Sequence, residues 1–218
     1  SYGWWADKHT RHHAHPNHTE RDPDVEPDLL VWSHEQARAS RGLPRWFGRH
    51  QAALFVPALL FEGFYLHYAA FAACLNPKMA HRGREFALLT AHLLLYVALV
   101  FGVMPFGLAV AFVLTHQMLW GLYMGSIFAP NHKGMPLRSG DEREDFLRRQ
   151  VLTSRNIAGG WLVDVAYGGL NHQIEHHLFP SMPSANLRRA QPVVAEFCAE
   201  IGVSYLRTGC LLYTSPSP

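Results

Sequence analysis

Two long apolar runs dominate the polarity pattern of this chain. From Phe86 the sequence reads FALLTAHLLLYVALVFGVM, breaks at Pro105, and resumes FGLAVAFVLTHQMLWGLYMGSIFA as far as Ala129. Each run is close to the roughly 20 residues that cross a hydrocarbon core as a helix, and neither carries a formal charge. Between them GVMPFG supplies the glycine and proline of a tight reversal. The pattern predicts a hairpin of two spanning helices, residues 87–104 and 106–129. Burial in a soluble core is the competing reading, but soluble helices are seldom apolar on every face.

A third apolar stretch, Gln51 to Leu75, contains Glu62, His67 and several aromatics, so it suits hydrocarbon less well. Arg38, Arg41, Arg45 and Arg49 precede it and Lys78, Arg82 and Arg84 follow, which places both of its ends on the cytoplasmic side by the positive-inside rule. An interfacial or re-entrant helix over residues 51–75 is expected. Beyond the hairpin, the segment Leu137 to Asn156 is charged and is read as part helix, with its Arg and Glu on a solvated face. MPSANLRRAQPVVAEFCAEIGVSY predicts a cytosolic helix, with Ser184 capping its start and Gly202 closing its end. The last residues, 210–218, have a different composition and are expected to be a non-native tail.

Composition changes this picture at one point. The 218 residues are 49% hydrophobic, enough for a substantial core, and a net charge of +2 gives no reason to expect nucleic acid. Cys74, Cys198 and Cys210 show no CxxC spacing, so neither a disulfide framework nor a thiolate zinc site is expected. Histidine is the exception, with 15 residues, many of them clustered. In HTRHH, His9, His12 and His13 stand at i, i+3 and i+4 and share one helical face. In NHQIEHHLFP the same spacing joins Gln173 to His176 and His177, with His172 one place out of register. His132, in FAPNHKGMP, falls just past the second predicted span, on the side where both clusters lie. His92 and His116 sit inside the apolar runs and read as packing groups; His15, His18, His34, His50, His67 and His81 receive no role beyond surface or support.

One histidine is ordinarily a surface or capping residue, but two clusters of one spacing, separated by a helical hairpin, point to bound metal. Imidazole suits zinc, copper, iron and nickel alike. So many nitrogen donors with no thiolate exceed a structural zinc site and favour a non-haem di-iron centre with open positions for dioxygen.

KHTRHH, then a membrane hairpin, then NHKGMP, then GGLNHQIEHHLFPSMP resembles the membrane fatty acid desaturases, and within them the front-end branch that acts near the carboxyl end of the acyl chain. The resemblance covers Trp4 to roughly Tyr205, within a desaturase domain expected over residues 1–209, and implies an all-α membrane protein: a transmembrane hairpin, an interfacial helix and a cytosolic helical di-metal domain. It implies His9, His12 and His13 as the second histidine box, Gln173, His176 and His177 as the third, and His132 as a further ligand. The family's first box, of HxxxH type, would precede Ser1, so the chain reads as an inactive fragment. Implied too are two non-haem irons, O2 as co-substrate, a fatty acyl-CoA or acyl-lipid substrate, and electrons from cytochrome b5 or a ferredoxin-type donor. The expected location is the bacterial inner membrane or the endoplasmic reticulum, with the site on the cytosolic face. A membrane di-iron hydroxylase or ketolase, and a non-enzymatic histidine-rich metal binder, are the alternatives.

Overall fold

The computed structural model describes residues 1–26, 30–140 and 145–209. The expected non-native tail, 210–218, lies outside the described residues. The fold is helical, in chain order α1 (Tyr2–Ala14), α2 (His34–Ala39), α3 (Gly42–Cys74), α4 (Arg82–Val103), α5 (Phe106–His132), α6 (Phe146–Leu152), β1 (Asn156–Ile157), α7 (Trp161–Ala166), α8 (Gln173–Leu178), α9 (Ser184–Glu200) and β2 (Arg207–Thr208). It divides into two compact units: Ser1–Thr10 with Phe55–Gly125, and Arg11–Leu54 with the chain from Ser126 onward.

In the first unit, α4 and α5 are joined by Met104 and Pro105, where the sequence pattern breaks. Their contacts include a hydrogen bond of 2.9 Å between Tyr96 Oη and His116 Nδ1. Leu88, Leu94, Leu95, Leu99, Leu108 and Leu119 are all exposed. Helices whose apolar side chains face outward in this way are solvated by lipid. Three helices, α3, α4 and α5, are long and apolar enough to cross a membrane by length and composition.

α3 is longer than the sequence pattern suggests: a continuous helix of 33 residues that starts at Gly42. Arg45 and Arg49 do not interrupt a helix, and Pro44 sits in the first turn, where a missing N–H costs nothing. α3 meets α5 where glycines let backbones touch. A Cβ on Gly121 would lie 2.6 Å from both Gly63 N and Leu59 O, and one on Gly125 would strike Leu59. Gly121 and Gly125 have the small-xxx-small spacing of close helix contacts in membranes.

In the second unit, α6, α8 and α9 enclose a core of Val151, Ile174, Val194, Cys198 and Val203. Asp145 caps α6 by accepting Arg148 N–H at 2.9 Å. Gly202 ends α9 with φ of 68°, and Val203 N–H returns to Cys198 O at 2.8 Å, as expected of this glycine. Ser184 does not cap the helix; it is its first residue. The preceding Pro183 holds the extended conformation, and its carbonyl accepts Asn186 N–H at 2.8 Å. β1 and β2 pair in parallel, Asn156 with Arg207 and Ile157 with Thr208.

Gly121→Leu should cost about 3 kcal/mol or more by forcing the α3 and α5 backbones apart, whereas Gly102→Ala, which meets open space, should be tolerated. Thermal unfolding in detergent checks both.

Candidate metal centre

α1 delivers His12 and His13, the last turn of α5 delivers His132, and α8 delivers Gln173, His176 and His177. His132 lies within α5, not beyond it as the sequence suggested, because the helix continues through Pro130 and closes with Lys133 N–H on Ala129 O at 2.9 Å.

His12, His132 and His177 converge: each offers a ring nitrogen, and these atoms lie within 4.8 Å of one another. The nearest pair, His12 Nε2 and His132 Nε2, are 3.3 Å apart. The other nitrogen of each ring decides what this arrangement can do. His132 Nδ1 lies 3.0 Å from the carbonyl of Thr153, His177 Nδ1 lies 2.9 Å from Gln150 Oε1, and His12 Nδ1 lies 3.0 and 2.9 Å from the two oxygens of Asp22. A carbonyl or carboxylate oxygen only accepts, so each Nδ1 carries the proton and each Nε2 turns a lone pair toward the common space. Gln150 is fixed in the required sense because its amide nitrogen donates to His13 O at 2.9 Å. Lone pairs facing one another repel unless a proton or cation lies between them. His177 Nε2 is buried and has no hydrogen-bond partner among the described residues. Burial, reinforced by His132 and His12, pushes the His177 ring well below its ordinary pKa and keeps it neutral. Three imidazoles whose Nδ1 protons are held by fixed acceptors, with His132 and His177 kept neutral by burial, fit a transition-metal ion.

His13 and His176 form a second pair beside the first, their Nε2 atoms 3.1 Å apart, with the His13 ring stacked on His177 at 4.2 Å. His9 stands one helical turn before His13 on α1, its ring stacked on Trp5 at 5.3 Å. Gln173 is buried, with its amide nitrogen 2.9 Å from His132 Nε2 and its oxygen accepting Asn131 Nδ2 at 3.1 Å. Exchanging the two ends of the amide would present the oxygen to the histidines. His172 is directed elsewhere: its Nε2 lies 3.2 Å from Asp164 Oδ1, a carboxylate that also accepts Asn171 Nδ2 and pairs with Arg188.

Asp22, Gln150, Thr153 and Asn131, which orient these groups, have no counterpart in the sequence reading. Asp22 stands in the acidic run TERDPDVE and looks like solvated loop, whereas its carboxylate is wholly buried. Gln150 lies in the charged segment expected to be part helix with its Arg and Glu on a solvated face, and it is fully buried. Thr153 acts through a backbone carbonyl, for which a sequence gives no signal.

Apolar helices of membrane-spanning length together with a buried histidine cluster define the class: a helical membrane protein with a histidine-lined centre. Within it, a family model for fatty acid desaturases matches residues 1–209, and the chain belongs to that family. It is 34% identical to an acyl-lipid 8-desaturase of Rebecca salina over 96% of its own length and 48% of that protein's. Against an acyl-lipid (9-3)-desaturase of Physcomitrium patens it is 30% identical over 94% of the chain and 40% of the relative. Against a Delta(6)-fatty-acid desaturase of Caenorhabditis elegans it is 29% identical over 94% of the chain and 50% of the relative. The chain thus spans about half the length of the curated relatives it matches. No solved structure matches it.

Gln150→Leu should weaken metal binding by roughly 10- to 100-fold, because His177 loses the acceptor that fixes its tautomer. Bound-metal content after dialysis against a chelator would show it. His172→Phe should leave metal content close to that of the wild type.

Proposed function

We propose that this protein is the histidine-bearing part of a front-end acyl desaturase, which introduces a cis double bond into a fatty acyl chain at a di-iron centre. The observation that carries this reading is the convergence of His12, His132 and His177 with their Nδ1 atoms held and their Nε2 atoms directed inward. His9, His12, His13, His132, Gln173, His176 and His177 are the proposed ligands. Two bound irons would supply the oxidant, made from O2, that an unreactive alkyl chain requires. Overall, two hydrogens leave adjacent carbons and, with two electrons from an external donor and two protons, reduce one O2 to two waters. The work of this chain's own residues is to keep the imidazoles neutral, fix their tautomers and hold the site away from bulk water.

The substrate is proposed as an acyl-lipid or acyl-CoA. The names of the Rebecca salina and Physcomitrium patens relatives, both acyl-lipid desaturases, favour the former. The electron donor is proposed to be cytochrome b5 or a ferredoxin-type protein at the cytosolic face of the endoplasmic reticulum or the bacterial inner membrane. A hydroxylase built on the same ligands would differ in its product. A metal carrier would need ligands along a transmembrane path, whereas these gather outside the apolar stretches of α4 and α5.

We read α4 and α5 as the spanning pair and α3 as lying along the membrane interface. Two contacts support this. Phe71 of α3 meets Phe86 in the first turn of α4, ring centroids 5.7 Å apart, while Gly63 and Leu59 meet α5 at Gly121 and Gly125. Both contacts fall in the half of α4 and the half of α5 that lead, along the chain, toward the histidines.

Expression of the gene carrying these 218 residues should add a new cis-unsaturated acid to the host lipids, read by gas chromatography and mass spectrometry, and His177→Ala should remove it. A hydroxylated product would overturn the desaturase reading. For the topology, cysteines placed at Ala80 and Ser139 should react with a membrane-impermeant reagent from the same side; labelling from opposite sides makes α3 a third crossing.

A further inference from the structure

Glu175 is wholly buried inside the box formed by Gln173, His176 and His177. Successive helical residues are turned by about 100°, which puts it on the reverse face of α8 from Gln173 and His177. Both of its oxygens are occupied there: Tyr205 Oη donates to Oε1 at 2.7 Å and Asn156 Nδ2 donates to Oε2 at 2.7 Å. Asn156 in turn accepts Ile174 N–H at 2.9 Å and donates to Tyr205 Oη. Each carboxylate oxygen thus receives one donor, while the second amide hydrogen of Asn156 goes to Tyr205 Oη and leaves the hydroxyl hydrogen of Tyr205 for Glu175. Its donors are neutral, and no Lys, Arg or His among the described residues pairs with it. Burying a carboxylate without a cation is strongly unfavourable, and a glutamine would fill the same space and keep both contacts, since the Tyr205 hydroxyl can reverse.

A second carboxylate has the same character. Asp22 is wholly buried, and it accepts the N–H groups of Asn17 at 2.7 Å and Asp24 at 2.9 Å besides the His12 ring, with no Lys or Arg paired to it among the described residues. The proposed ligands, six imidazoles and one amide, are neutral when they ligate, so they offset none of the charge of bound metal. We propose that Glu175 is a charge-balancing residue of the metal centre, with Asp22 as its counterpart on the α1 side: its buried negative charge is retained because the occupied site is positive. This inference rests on the metal reading above. It makes Glu175 a positioning residue, acting through charge from behind the ligand helix.

The test compares Glu175→Gln and Tyr205→Phe with the wild-type chain, purified in detergent, by anaerobic Fe2+ titration against a competing chelator and by thermal unfolding of the metal-free protein. Glu175→Gln should weaken Fe2+ binding roughly ten-fold or more, while its metal-free melting temperature equals or exceeds that of the wild type, because an uncompensated buried charge has gone. Tyr205→Phe, which keeps the charge and loses one donor, should bind Fe2+ more tightly than Glu175→Gln. Wild-type affinity in Glu175→Gln overturns the proposal. So does a lowered metal-free melting temperature in that variant, which would make Glu175 a brace of the fold, or equal weakening in the two variants, which would assign the effect to the hydrogen bond. A wild-type chain that takes up no Fe2+ overturns the metal reading itself and this inference with it.

Discussion

The centre depends on which nitrogen of each histidine carries the proton. Thr153 O, Gln150 Oε1 and the Asp22 carboxylate each hold an Nδ1 proton, so three Nε2 lone pairs face one space. An imidazole free to choose its tautomer could carry the proton on Nε2 instead, and a nitrogen that bears a proton cannot ligate. The acceptors come from two separate parts of the chain: the loop after α1, and helix α6 with the residue that caps it. Much of the second unit can be understood as the scaffold that sets them. The buried core of α6, α8 and α9 fixes Gln150 beside α8, and the pairing of β1 with β2 brings Tyr205 to Asn156 and Glu175.

The apolar unit obeys a different constraint. Its helices expose leucine and phenylalanine broadly, so the hydrophobic effect that drives water-soluble packing does little to hold α3, α4 and α5 together in lipid. Close backbone approach does more. Gly63, Gly121 and Gly125 remove side chains where α3 crosses α5, and the resulting contact area takes the place of a buried apolar core. The Tyr96 to His116 hydrogen bond adds a polar tie between α4 and α5. His116 therefore acts as a bonded packing group, as its position within an apolar run suggests.

Periodicity and spacing made much of this legible in the sequence. Long uncharged runs broken at Pro105 locate α4 and α5, because hydrocarbon tolerates only backbone that satisfies its own hydrogen bonds. The i, i+3, i+4 spacing places His9, His12 and His13 on one face of α1, and Gln173, His176 and His177 likewise on α8, since helix geometry is local. Gly202 ends α9 because an αL turn is also a local requirement. Helix length was less legible: α3 starts at Gly42, ahead of the expected Gln51, because the polar residues before the apolar stretch continue the helix, and α5 runs past Pro130, where a proline reads as a boundary but is accommodated.

Tertiary structure alone decided which side chains meet. Nothing local distinguishes His132 from other histidines at helix ends; it joins His12 and His177 because α5 ends where α1 and α8 pass. Adjacent residues His172 and Gln173 part company because Asp164, eight positions before His172, captures one while Asn131 and His132 receive the other. The same holds for Asp22, Gln150 and Glu175, polar residues that look suited to solvent and are wholly buried. Sequence determined the ligand types and the faces that carry them, since those follow from composition and the 3.6-residue turn. Tautomer, charge balance and pairing needed the fold, since each is set by groups far apart along the chain and close only in space.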